Sequence, residues 1–152
     1  MIDTAGIIAG WAEQLFGNWT ARQAVDTRIA DKAKLLRRSL AASFEVRPVE
    51  SEVDSLTTWA AKVLTGFPRT EPAMREIVEL RPDATAKMRG AVARARDEFY
   101  AVADIINPLF GRNGLSISSD EQRADVQRKL VAALSHMHRC LVLLAWIDGE
   151  KN

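Results

Sequence analysis

The chain has 152 residues, 47% of them apolar and 27% charged, and its 21 basic and 20 acidic side chains leave a formal net charge of +1. That is the composition of an ordinary globular domain, long enough to bury roughly 68–70% of its unfolded surface. The charge balance excludes a polybasic nucleic-acid tail and an acidic disordered one, and the single cysteine, Cys140, excludes a disulfide framework and a multi-cysteine zinc site.

In chain order, a first helix over residues 3–16 sets Ile8, Ala12, Leu15 and Trp19 along one face. The segment opens on Asp3, and Asp3, Glu13, Gln14 and Asn18 interrupt its apolar run. It is therefore expected to be neither a secretory signal nor a membrane span, and the protein is read as cytoplasmic. Gly17-Asn18 predicts a stop, and Thr20-Ala21-Arg22-Gln23 has the form of a capping box. Continued at about 100° per residue, the first stripe would carry Asp26 into the core. A new stripe at Val25, Ile29, Leu36 and Leu40 predicts a separate helix over 20–44.

Arg47-Pro48 turns the backbone away from helix. Val53, Leu56, Ala60 and Val63 predict a helix over 51–65, ended by Gly66 and bent at Phe67-Pro68. Thr70 then caps a short helix over 70–80 with Met74, Ile77 and Val78 on one face and Pro72 in its first turn. Over 83–106 the positions Met88, Val92, Ala95, Phe99, Val102 and Ile106 alternate steps of four and three, a heptad seam closed by Pro108 and Gly111-Arg112-Asn113-Gly114. A last helix over 119–147 opens at Ser118 or Ser119 and carries Val126, Leu130, Leu134, Met137, Leu141 and Leu144. No stretch alternates with period two. The expectation is a single all-α domain over 1–152, an antiparallel four-helix-bundle-like arrangement with an additional N-terminal helix across one end or side.

Candidate chemistry is sparse. His136-Met137-His138-Arg139-Cys140 offers three ligand types in five residues. On a helix, His138 points away from the other two, and only His136 and Cys140 share a face. With no other His or Cys in the chain, the expectation is no metal and no cofactor, and an enzyme built on His136 or His138 is the weakest alternative. No nucleophile elbow, zinc-protease helix, phosphate loop or dinucleotide fingerprint occurs. Residues 21–50 hold seven basic and four acidic residues. Lys34, Arg37 and Arg38 are expected to be solvated together, and they define a second function class, a nucleic-acid-binding accessory factor. Tyr100 is placed outward between Asp97 and Asp104, poor company for phosphate.

The strongest feature is Cys140-Leu141-Val142-Leu143-Leu144-Ala145-Trp146-Ile147, apolar around its whole circumference. Leu141 and Leu144 continue the core stripe, whereas Val142 and Trp146 project to the other side with Leu143 beside them. Such a helix needs a cover on both sides. Either the N-terminal helix, with Trp11 and its apolar neighbours, folds over it, or a second copy or another protein does. The sequence therefore reads as a non-enzymatic helical interaction module, an accessory, adaptor or regulatory protein. Its partner is a protein, itself included as a plausible dimer, and its partner-binding residues are Val142, Leu143, Trp146 and Trp11. Nucleic acid stands as the alternative partner, and no membrane span is expected.

Overall fold

Apolar residues recur every three or four positions along four stretches of the chain, and each stretch is one helix. The computed structural model describes the backbone of residues 4–111 and 114–149 and, within them, the side chains from Asn18 onward. α1 spans Thr4–Ala41 and ends in a 3₁₀ turn, Ala42–Phe44. α2 spans Val53–Leu80 and leads through a second 3₁₀ turn, Arg81–Asp83, into α3, Ala86–Phe110, and then α4, Asp120–Ile147. No strand occurs among the described residues, so the protein is an all-α helical bundle. The heptad seam of α3 is buried from Val92 to Ile106, and Met88 is packed against the core. Opposite it lie Leu130, Leu134, Met137 and Leu144 of α4, Ile29, Leu36 and Leu40 of α1, and Leu56, Trp59 and Ile77 of α2.

Two expected breaks are absent. α1 runs unbroken through Gly17-Asn18 for 38 residues, so the helices expected over 3–16 and 20–44 are one, and Thr20 opens no new helix. A mid-helix glycine weakens a helix by about 1 kcal/mol without stopping it. Asp26, which suggested a change of register, is half-buried because it has partners. Its carboxylate accepts from the Thr85 backbone N–H at 3.0 Å and from the Thr85 hydroxyl at 2.6 Å, at the N-terminus of α3. A negative charge there satisfies open amides and complements the helix dipole. Arg22 reaches the same corner, donating to the Ala84 carbonyl at 2.9 Å. Residues 18–24 are exposed throughout, so along the described side chains α1 joins the core at Val25.

α2 likewise runs through Gly66, Pro68 and Pro72 for 28 residues, replacing the helices expected over 51–65 and 70–80. Pro68 and Pro72 have no N–H for the Leu64 and Pro68 carbonyls. Packing on both sides of the gap holds the rod together: Phe67 stacks on Phe99 at 5.6 Å, and Met74 and Ile77 are fully buried. Pro108 lies inside α3, which ends only at Gly111 with a positive φ of 50°. α3 opens on Thr85, later than the expected 83, and Ser119 caps α4 by accepting from the Gln122 backbone N–H at 3.1 Å.

Where α4 meets α3 and α1, residue numbers rise along one helix as they fall along the other. Ala95 meets Cys140 and Glu98 meets His136 between α3 and α4, while Arg37 meets Asp148 and Phe44 meets His138 between α1 and α4. By length and composition α4 could cross a membrane, with an 18-residue window of mean hydropathy 1.6, of which 44% is buried. Its buried face is core, packed on the other three helices.

Two substitutions test this account by urea unfolding. Asp26→Ala leaves the Thr85 donors without their carboxylate and is expected to lower stability by about 1–3 kcal/mol. Pro68→Ala, at an exposed position, restores a helical N–H and is expected to raise stability by about 1–3 kcal/mol.

Candidate functional site: the α3–α4 face

α3 and α4 form the most extensive helix pair of the bundle. Along α4 the expected stripe residues Val126, Leu130, Leu134, Met137 and Leu144 are buried and Leu141 is half-buried, while Cys140 and Ile147, outside that stripe, are buried as well. Val142 and Trp146, one turn apart, are 64% and 51% exposed. Leu143, half-buried, fills the space between them and the core. Among the described residues the other exposed large apolar side chains, Trp19, Leu35, Val46 and Val49, lie on α1 and the α1–α2 connection.

The N-terminal segment expected as a cover is part of the continuous α1 rod, and among the described side chains none closes over Val142 and Trp146. Trp11, the fourth expected binding residue, lies outside the residues whose side chains are described.

Val142 and Leu143 line two adjoining grooves between α3 and α4. One, of about 500 Å³, is bordered by Arg94, Asp97, Glu98, His138 and Arg139. The other, of about 340 Å³, is bordered by Lys87, Ala91, Arg94 and Trp146. Together they make a trough with an apolar floor from α4 and charged α3 residues along its edge. Lys87, Ala91 and Arg94 were not singled out as binding residues by sequence. Their signal was available: they lie away from the α3 seam, beside the apolar turn of α4.

Glu98, His138 and Arg139 border one end of the trough, and His136 joins Glu98 beside it. His136 Nδ1 lies 2.6 Å from Glu98 Oε2, and Arg139 Nε donates to Glu98 Oε1 at 3.1 Å. Arg139 Nη2 also stands 2.9 Å from His136 Nδ1, so both side chains crowd onto one carboxylate. Partial burial pulls the Glu98 carboxyl up, but the hydrogen bonds and charges of His136 and Arg139 outweigh it and hold Glu98 below the usual carboxylate range. His138 is exposed and leans on the Phe44 ring at 5.3 Å. Cys140 is fully buried with its thiol directed at the Ala95 carbonyl, 3.7 Å away. Burial first, then the nearby Glu98 charge, push that thiol up to about 12, so at neutral pH no nucleophilic thiolate forms. Among the described residues no three His, Cys, Asp or Glu side chains gather to hold a metal. His136 and Cys140 share a helical face as expected, yet one turns to Glu98 and the other to the core.

The basic trio of α1 is not one solvated group. Arg37 donates from Nε to Asp148 Oδ2 at 2.6 Å, and the Asp148 side chain is 0% exposed. This buried pair ties α1 to the C-terminal cap of α4, where a carboxylate would otherwise oppose the helix dipole. Lys34 is half-buried and only Arg38 is fully exposed. Tyr100, expected to face outward, is half-buried, and its hydroxyl donates to Glu71 of α2 at 3.2 Å. Desolvation first, then that bond and the Glu71 charge, raise its pKa.

The Glu98 cluster predicts a pH dependence. Because the folded carboxyl sits below its ordinary value of 4.5, its contribution is fully present above that pH and disappears as pH falls through the lower folded value. Comparison of the wild type with Glu98→Gln by urea unfolding from neutral to acid pH is expected to show a difference below about 1 kcal/mol that closes under pH 4.5. Compared with known protein families, with curated proteins and with solved structures, the chain matches none.

Proposed function

We propose that this protein is a non-enzymatic helical interaction module, of adaptor or regulatory kind, that receives a helix of another protein chain on its α3–α4 face. One observation carries the reading: Val142 and Trp146 stand open on a helix whose remaining large apolar residues are packed. Large apolar side chains left clustered and uncovered mark interfaces, and tryptophan is prominent among the residues that dominate binding energy. A trough floored by Val142 and Leu143 and edged by Lys87, Arg94 and Asp97 has the form of a helix-in-groove site, with apolar anchors inside and charge at the rim. Nucleic-acid binding gains no support, because Arg37 is committed to Asp148 and Tyr100 to Glu71.

The test places a photo-activatable residue at position 142 and, as a control, at Arg128, whose side chain is 76% exposed on the same helix. Protein adducts from position 142 and none from 128, in cells expressing the protein, are the expected result. Absence of adducts from 142, or equal labelling from both, overturns the reading. In the same assay Trp146→Ala is expected to weaken association about 10-fold, corresponding to about 1.4 kcal/mol. Because half of the indole is already in water, unfolding free energy is expected to change by far less than the ~3–5 kcal/mol of a core tryptophan.

A further inference from the structure

The outer face of α3 carries a second heptad stripe, roughly opposite the buried one: Lys87, Gly90, Arg94, Asp97, Ala101 and Asp104, in steps of three and four. Lys87, Arg94, Asp97 and Asp104 are exposed, and Gly90 and Ala101 are half-buried. The six positions are symmetric about the Ala95–Arg96 peptide. Lys87 and Asp104 lie equally far from it, as do Gly90 and Ala101, and Arg94 and Asp97. In each charged pair the N-terminal member is basic and the C-terminal member acidic.

From this arrangement we infer that the chain on the α3–α4 face is a second copy of the same protein, with the two α3 helices crossing in opposite directions about a two-fold axis near Ala95–Arg96. The inference rests on the proposed binding role of that face. In this register Lys87 meets the partner's Asp104 and Arg94 meets the partner's Asp97, each contact occurring twice as two-fold symmetry requires. Parallel pairing would set base against base and acid against acid, so the charges select the direction. Lys87, Arg94 and Asp104 make no ion pair among the described residues, and Asp97 has only an exposed contact with its neighbour Arg96, at 3.2 Å.

Gly90 supplies an independent reason. Glycine inside a helix weakens it relative to alanine, and a Cβ built at Gly90 meets nothing within 4 Å, so packing within one chain does not require it. A helix crossing outside does. Small residues at 90 and 101 let two backbones approach closely, and the symmetry brings each onto the other. Trp146 and Val142 flank Lys87 and Arg94, so the C-terminal half of the incoming α3 covers them as well.

Sedimentation equilibrium of the full chain from about 1 to 500 µM tests the pairing. The wild type is expected to self-associate as a dimer. The double variants Lys87→Glu with Arg94→Glu, and Asp97→Lys with Asp104→Lys, are each expected to weaken the dimer at least about 10-fold while keeping the helical circular dichroism of the wild type. An equimolar mixture of the two is expected to restore it. Gly90→Leu, whose Cβ meets nothing within 4 Å in one chain, is expected to weaken it as well. A monomeric wild type, reversals without effect, or a mixture that fails to reassociate each overturn the inference. A monomer that still forms adducts from position 142 with another protein removes self-pairing alone; a monomer with no adducts removes the broader reading too.

Discussion

A carboxylate at the edge of an apolar core holds this bundle in register. Heptad seams repeat, so a helix can slide by a turn against its neighbours and keep much of its burial. A polar contact at one level has no such freedom, because a slip strands the donors. Asp26 accepts both donors of Thr85 while Arg22 reaches the adjoining Ala84 carbonyl, fixing α3 against α1. At the far end of α4, Arg37 and the buried Asp148 do the same for α1 and α4. With both helices pinned to α1, Glu98 falls opposite His136 and Ala91 falls beside Trp146. The trough is a product of those two levels.

The faces of the bundle are not equivalent. Between the end of α1 and α2 lies another depression, of about 550 Å³, bordered by Ser39, Ser43, Thr65 and Thr70 together with Leu40 and Val63, which are already buried in the core. Between α3 and α4 the bordering side chains include a valine, a leucine and an indole. Burial of large apolar surface is the main source of association energy, so the second depression is the one suited to holding a chain. The same contrast separates Trp146 from Trp59, which is sealed in the core against Phe44 at 5.8 Å with its indole N–H unpartnered among the described residues.

Helix content, the core stripes and the placement of Val142 and Trp146 away from the core were legible in the sequence because periodicity reports on which residues share a face. Helix boundaries were less so. The α2 seam in fact continues through Val53, Leu56, Ala60, Val63, Phe67, Thr70, Met74 and Ile77 in unbroken steps of three and four, and stripe continuity outweighs the breaker residues Gly66 and Pro68 once tertiary packing is present. Asp26 misled for a different reason: a polar residue on a core stripe signals a register change only if it lacks a partner, and its partner lies 59 residues away. The same limit hid the pairing of Arg37 with Asp148 and the gathering of His136 and Arg139 on Glu98. Local spacing marks which residues share a helix face; long-range polar pairing belongs to the packing of helices on one another.

The two prolines of α2 have a consequence for how the bundle opens. Elsewhere the helical ladder is continuous over most of each rod, and local unfolding tends to run along it. Around Pro68 and Pro72 two rungs are missing, so the segments before and after them are joined by side-chain packing more than by backbone hydrogen bonds. The part after Pro68 leans on α3 through Glu71 and the part before it on the end of α1 through Trp59 and Phe44, with Phe67 stacked on Phe99 at the junction. Opening of α2 is therefore expected to divide at the prolines, each part following the neighbour that holds it.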